Sequence, residues 1–355
     1  MISLIWDPTR AAFLKRRKQK RNVNLSKLGR IDEDLCVTES CARNGRDTYI
    51  GRVVKRLLCH SVALLSLAAT NLDSRCFAAD EVWENLPAPL PLPDPLRSGY
   101  VPVNGIQLYY AIYGKGEPLI LLHGGMGNIE QFGNQIGAFA REFGVIALDS
   151  RGQGRSTRSS QTLSYGLMAS DVVGVMDFLS ISKASVLGWS DGGIVGLDIA
   201  IHYPERLDKL VVFGANYNRT GLRRDGGKHR IFSQYFGIAE RDYKRLSKTP
   251  DQYQVAFLAL EKMWETQPNY SAQQLASIKA PTLVLDGEYD EIIKRSHTEE
   301  MATLIPNAKL KFIPEASHFA MFQRPADFNK AVLDFLSDRA SIQGSTFDSA
   351  PAFAR

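Results

Sequence analysis

Residues 183–193 read KASVLGWSDGG, and IVGLDIAIHYPERL follows at once. An apolar run thus ends on Gly188, Trp189, Ser190, Asp191, Gly192 and Gly193 and passes directly into a helix-like segment. This is the pattern of a buried strand that delivers a serine onto a sharp turn whose far side opens a helix. A serine on such a turn has strained dihedrals, and the strand and helix beside it must pass closely, so the residues two before and two after it need to be almost free of side chain. Gly188 and Gly192 meet that need around Ser190. A serine that only capped a helix would not require glycine on both sides. The backbone N–H of Asp191, in the first turn of the helix, would face an oxygen on any carbon that Ser190 attacked.

Elements in chain order fit around this turn. Five prolines in residues 83–98 exclude helix and central strand and predict a stiff lead-in over 80–98. Asn104 and Gly105 form a strong turn dipeptide between two β-prone runs, so residues 99–114 read as a hairpin, with Tyr109 and Tyr110 as sheet residues. Continuous apolar runs at 118–122, 144–149, 210–214 and 281–286 are the mark of strands covered on both faces. A final strand is expected at 310–314, and helices over 129–142, 165–179, 192–203 and 325–339. Residues 216–277 contain no buried-strand run and are too long for an ordinary crossover, which predicts a small helical cap. Its aromatic residues are by default packing residues. A cap closing over a serine must still show apolar surface to a substrate, and Phe232, Tyr235, Phe236 and Trp264 are the candidates.

The loops after the strands carry the chemistry. His123, Gly124, Gly125, Met126 and Gly127 leave the strand at 118–122. The Lys-Ser/Thr of a phosphate loop is absent and the spacing does not fit a dinucleotide fingerprint. The remaining reading is an oxyanion loop, in which glycine lets the N–H of Gly125, with Met126 beside it, approach a tetrahedral oxygen. His123 precedes the glycines and is expected to fix the loop; Asp149 and Arg151 are expected to brace the loops beside the serine rather than to clamp an anion. Four carboxylates follow the strand at 281–286. Asp286 ends the strand and Glu288 and Glu291 flank the turn, whereas Asp290 lies beyond Gly287, where it can reach back over the edge of the sheet. A cation site is disfavoured there, because no second cluster of ligands is evident. His318 stands on the loop after the last strand, within reach of both Ser190 and Asp290.

Nucleophile, acid and base therefore come in the order Ser190, Asp290, His318, each just beyond an expected strand. A serine hydroxyl is a weak nucleophile near neutral pH and needs a base to take its proton and return it to the leaving group; the acid holds the tautomer of that base. GWSDGG, LDSRGQGRS, the HGG loop, DGEYD and ASHF together resemble the α/β-hydrolase fold superfamily over residues 99–340, and look most like the small-acyl serine esterase group that includes valacyclovir hydrolase. The resemblance implies a mostly parallel eight-stranded sheet with helices on both faces and a small helical cap. It places the nucleophile on Ser190, the acid on Asp290, the base on His318 and the oxyanion hole on the N–H groups of Gly125 and Asp191. Met126, Trp189 and Phe319, which lie beside these groups in the sequence, join the cap aromatics as substrate-binding candidates. Similar enzymes cleave esters, thioesters, amides or carbon–carbon bonds, and some carry out perhydrolysis. Haloalkane dehalogenases and epoxide hydrolases have aspartate where this chain has Ser190, which speaks against both. Proline iminopeptidases usually show HGGPG, and Met126 takes the proline position here. The expectation is a serine hydrolase of small carboxylic esters. The alternatives are an amidase of the iminopeptidase kind, a carbon–carbon bond hydrolase, and a non-catalytic protein that binds a small ligand in the same pocket. The chemistry calls for no cofactor and no metal, since the chain supplies every group that acyl transfer needs.

Charge and cysteine separate the body from what precedes it. Residues 1–60 hold 14 Lys and Arg against 6 Asp and Glu, and residues 61–79 balance one of each. With +5 over the whole chain, residues 80–355 carry −3, so the basic character says nothing of the substrate and gives no reason to expect nucleic acid as a partner. All four cysteines precede residue 80, which leaves the body without thiol or disulfide. Residues 53–79 run from basic residues through LLCHSVALLSLAA to small residues at 78 and 79, the build of a secretory signal rather than a membrane span. Residues 1–52 would then be a leader without a fold, and we expect translation to start near residue 53. A periplasmic or secreted body without stable membrane insertion follows if the signal operates, and a cytoplasmic one otherwise. The last segment, 341–355, reads as a frayed tail.

Overall fold

A computed structural model describes residues 81–338. The leader, the expected signal at 53–79 and the tail at 341–355 lie outside the described residues.

Eight strands form one sheet: β1 (Arg97–Val103), β2 (Ile106–Tyr113), β3 (Glu117–Leu122), β4 (Phe143–Leu148), β5 (Ala184–Trp189), β6 (Leu207–Phe213), β7 (Thr282–Gly287) and β8 (Ala308–Ile313). Their order across the sheet is β1-β2-β4-β3-β5-β6-β7-β8. The first two pairings, β1 with β2 and β2 with β4, are antiparallel and all the others are parallel. The expected mostly parallel sheet is therefore present. Asn104 and Gly105 turn the hairpin with φ of 42° and 78°, the left-handed pair that matches the twist of the strands. Strand β1 starts at Arg97, before the expected residue 99, because the Leu96 N–H already donates to the Ile112 carbonyl at 2.8 Å.

Strands β4, β5 and β7 are buried along their whole length, as their unbroken apolar runs require. One face packs against α2 (Tyr165–Phe178), α3 (Asp191–His202) and residues of α7 (Arg295–Leu304); the other packs against α1 (Gly133–Phe139) and α9 (Pro325–Ser337). The helix expected over 129–142 is instead a tight 3-10 turn, Ile129–Phe132, followed by α1. Its start is pinned by two carboxamide and carboxylate acceptors: Asn128 Oδ1 receives the Glu130 N–H and Asp149 Oδ1 receives the Ile129 N–H. Between β6 and β7 come α4 (Arg230–Leu246), α5 (Tyr253–Trp264) and the short α6 (Ala272–Ala276). A single-turn helix, α8 (Ala320–Gln323), precedes α9. Among the described residues no helix is long and apolar enough to cross a membrane.

Candidate active site

Strand β5 and helix α3 meet at Ser190, whose φ of 54° and ψ of −118° place a non-glycine residue in the left-handed half of conformational space. The strain is held from both sides: the Ser190 N–H donates to the Phe213 carbonyl of β6 at 2.8 Å, and its carbonyl accepts from Ile194 at 3.0 Å. Both flanking glycines are required sterically. A Cβ on Gly188 would overlap the Gly192 carbonyl, and one on Gly192 would overlap the Leu122 carbonyl of β3. The side chain of Ser190 is half-buried.

The loop after β3 folds over this turn. Gly124 lies so close that its Cβ would stand 3.2 Å from Ser190 Cβ, and a Cβ on Gly125 would meet Trp264 Cζ2 at 2.5 Å and Asp191 Oδ2 at 2.8 Å. Gly125 and the Asp191 side chain are thus neighbours. Met126 takes φ 59° and buries its side chain in the core. His123 braces the loop as expected: Nδ1 meets the Gly124 carbonyl at 2.7 Å and Nε2 receives the Ser150 N–H at 2.9 Å. Burial holds its imidazole below the ordinary range, against the pull of Asp149, which matches the acceptor role of Nε2. Arg151 pairs with buried Asp171 at 2.6 Å, and Asp149 accepts the N–H groups of Ile129 and Arg155, so both serve as braces.

On the other side of Ser190, Gly214 follows the Phe213 carbonyl and takes φ 57°. The absence of a side chain there admits a buried pair, His318 and Asp290, with Nδ1 and Oδ2 2.7 Å apart. Asp290 Oδ1 also accepts the N–H groups of Ile292 and Ile293, at 2.6 Å each. Burial disfavours the charged carboxylate, but the charge and hydrogen bond of His318 outweigh it and hold Asp290 below its usual range. Burial likewise disfavours the imidazolium of His318, and the charges of Asp290, Glu291 and Asp191 outweigh it, so its value stands above the ordinary one. His318 Nε2 is buried and makes no hydrogen bond, an idle site on an otherwise fixed ring. The other three carboxylates make other hydrogen bonds. Asp286 accepts from Thr298 and Gly287, Glu288 from the Glu315 N–H, and Glu291 from the His318 N–H.

The aromatic candidates divide. Phe232 and Phe236 are partly buried, and the Phe232 ring lies 5.8 Å from that of His318, so the cap sits directly over the pair. Tyr235 is buried and gives its hydroxyl proton to the Gly125 carbonyl at 2.8 Å, fixing the loop that carries the candidate oxyanion donor. Trp189 and Phe319, expected to bind substrate, are 1% and 0% exposed. The Trp189 indole N–H donates to the His318 carbonyl at 3.0 Å, and Phe319 packs on Trp189 and Phe322, so both rings support the histidine loop from the core.

The sequence reading used Asp191 only for its backbone and missed its side chain. That carboxylate is 5% exposed, accepts the Tyr165 hydroxyl at 2.8 Å and the Trp264 indole N–H at 3.0 Å, and is pushed up to about 6 by burial, against those two hydrogen bonds. Gln323 was missed as well: its amide receives the Ser317 N–H and donates to the Trp83 and Asn85 carbonyls, tying the lead-in to the residue before His318. Apart from Ser317, six residues from Gln323, the partners lie 26 to 240 residues away, so neither role has a clear local signal.

Comparison with known proteins agrees with this architecture. The family model of the alpha/beta hydrolase fold matches residues 117–237 and 213–325. Mouse serine hydrolase BPHL is 31% identical over 255 residues, covering 68% of this chain and 87% of that protein. A 2-hydroxy-6-oxo-6-(2'-aminophenyl)hexa-2,4-dienoic acid hydrolase from Metapseudomonas resinovorans is 28% identical over 271 residues, 68% of this chain and 92% of its own. Among solved structures, the meta-cleavage product hydrolase of Pseudomonas fluorescens IP01 superposes with a TM-score of 0.61 at 23% identity, over 68% of this chain and 98% of that one, a likeness of fold. With the matched model spanning residues 117–325 and an eight-stranded, mostly parallel sheet, this chain is a hydrolase of the alpha/beta hydrolase fold family.

Proposed function

We propose that this protein is a serine hydrolase that cleaves small carboxylic esters through an acyl-enzyme, with Ser190 as nucleophile, His318 as base and Asp290 as the acid that orients it. The observation that carries the reading is the state of His318: buried, held at Nδ1 by Asp290, with Nε2 unpartnered, and packed against Gly214, the residue after the Phe213 carbonyl that receives the Ser190 N–H of the strained turn. In the forward half-reaction Ser190 Oγ bonds to the acyl carbon and its proton passes to His318 Nε2. The N–H groups of Gly125 and Asp191 take the negative oxygen, and collapse of the tetrahedral intermediate breaks the bond to the leaving alcohol, which receives the proton from His318. Water then repeats the sequence in place of the serine, releasing the acid and restoring Ser190. Phe232, Phe236 and Trp264 supply the apolar wall for the acyl group.

Carbon–carbon hydrolysis is the second reading, favoured by the similarity to the dienoic acid hydrolase from Metapseudomonas resinovorans. The test is a turnover screen of p-nitrophenyl esters of increasing acyl length beside a 2-hydroxy-6-oxo-dienoate, with wild type, Ser190→Ala and His318→Ala. Short-ester turnover that both substitutions abolish supports the first reading. Turnover of the dienoate alone replaces it with the second. Failure of every substrate, with the fold intact, points to a ligand-binding protein and sinks both.

A further inference from the structure

Beside the Asp290 and His318 pair stands a second carboxyl group, that of Glu291, to which the steps of acyl transfer given above assign no part. Glu291 Oε2 accepts the backbone N–H of His318 at 3.1 Å, while its other oxygen, Oε1, is buried with no hydrogen-bond partner. An unpartnered oxygen of a buried carboxylate costs stability. Such a group persists where its charge is used.

We propose that Glu291 is a positioning residue for the catalytic histidine: its carboxylate fixes the His318 main chain and adds a second negative charge to the field of Asp290 on the imidazolium that forms during acyl transfer. The inference rests on the role given above to His318. Its geometry is complementary to that of Asp290. Asp290 grips the ring at Nδ1 and Glu291 grips the backbone of the same residue, so rotation of the ring and displacement of its loop are restrained from adjacent positions of one turn.

The other charged groups around this turn are accounted for. Asp286, at the end of β7, is 1% exposed and receives the Thr298 hydroxyl from α7 at 2.7 Å and the Gly287 N–H; burial, followed by the Asp290 charge, holds its carboxyl well above the usual carboxylate range. Asp191 acts on His318 from the first turn of α3. From the segment before α4, Arg223 gives its Nε–H to the Ile293 carbonyl, and Asp225 and Lys228 pair with each other at 2.8 Å. Trp83 stacks on Tyr289, and Glu84 pairs with Arg230. Among the described residues, the ion pair that engages this carboxyl set is that of Asp290 with His318.

Burial, with the Asp290 charge added, pushes Glu291 up to about 7. Above that value its charge favours the imidazolium; below it the support is lost. Glu291 and His318 then titrate as a coupled set whose apparent values belong to the set.

The experiment is an NMR titration of the full chain carrying 13C-labelled histidine, with the His318 signal assigned by its loss in His318→Gln. This readout needs no substrate, so it is independent of whether esters are turned over. Glu291→Gln keeps an acceptor for the His318 N–H and removes the charge. The expected result is a fall of about half a pH unit or more in the His318 midpoint, with the acid limb of kcat/KM moving the same way. An unchanged midpoint in a folded Glu291→Gln protein overturns the proposal. A second measurement uses the wild type alone: the Glu291 carboxyl carbon is expected to titrate near neutrality with an inflection shared with His318, and a Glu291 titrating in the ordinary carboxylate range overturns the proposal even if the variant does not fold. Absence of ester turnover in wild type with the His318 shift intact would instead overturn the function and leave standing only the coupling of Glu291 to the His318 imidazole.

Discussion

A single methyl group placed at Gly214 tests whether the position of the His318 and Asp290 pair governs activity. The φ of 57° makes alanine strained there by about 1–2 kcal/mol, whatever the surrounding space. The added Cβ would also stand 3.1 Å from both Cε1 and Nδ1 of His318 and 3.6 Å from Asp290 Oδ2. Ordinary contact needs a few tenths of an ångström more, so the imidazole must give way. Since a displacement of about 1 Å at a reacting group costs on the order of a hundredfold, a few tenths should lower kcat about tenfold. Gly105→Ala is the matched control. Gly105 has φ 78° and nothing within 4 Å of an added Cβ, so it carries the strain without the wedge. Urea unfolding should show Gly105→Ala destabilised by about 1–2 kcal/mol and Gly214→Ala by at least as much. A short chromogenic ester should show full kcat for Gly105→Ala and the tenfold loss for Gly214→Ala alone. Equal activity of the two variants would refute the placement of the pair as the origin of catalysis.

Two further expectations concern stability. Asp191 stands at about 6 in the fold against an ordinary 3.8, so the unfolded chain gives up this proton first and the fold loses stability as pH rises between those values. The penalty is absent below about pH 4 and full above about pH 6, worth about 2–3 kcal/mol. Asp191→Asn can still accept from Tyr165 and Trp264 through one oxygen, and should gain that amount on wild type between pH 4 and pH 8 in urea titrations; parallel curves for the two proteins would contradict it. Gly188→Ala places a Cβ on the Gly192 carbonyl at the elbow and should cost more than about 3 kcal/mol, read as loss of soluble, cooperatively melting protein; a normal melt would mean the strand and helix do not pass as closely as described.

The strands and the elbow were legible because their signals are local. Runs such as PLILL and TLVL need burial on both faces, and Gly188 and Gly192 are demanded by a turn within five residues. The choice of Asp290 over Asp286 was legible for a similar reason, since it turned on which side of Gly287 each carboxylate lies. The insertion of β4 between β2 and β3 was not, because periodicity reports which faces are buried and not which strand lies alongside. Trp189 and Phe319 were misjudged on identity alone: an aromatic beside a reactive residue can face the core, and the indole N–H to the His318 carbonyl is what turns Trp189 inward. The Asp191 carboxylate escaped notice because its burial depends on Tyr165 and Trp264, brought in from another helix and from the cap.

The central claim is that Ser190 carries the acyl group. Rapid mixing with a short p-nitrophenyl ester, acid quenching and mass spectrometry of the peptide containing Ser190 tests it most directly. The account requires one acyl group on Ser190, formed as fast as the burst of nitrophenolate and absent from His318→Ala. Turnover at a normal rate with no acyl group on that peptide at any time would contradict it.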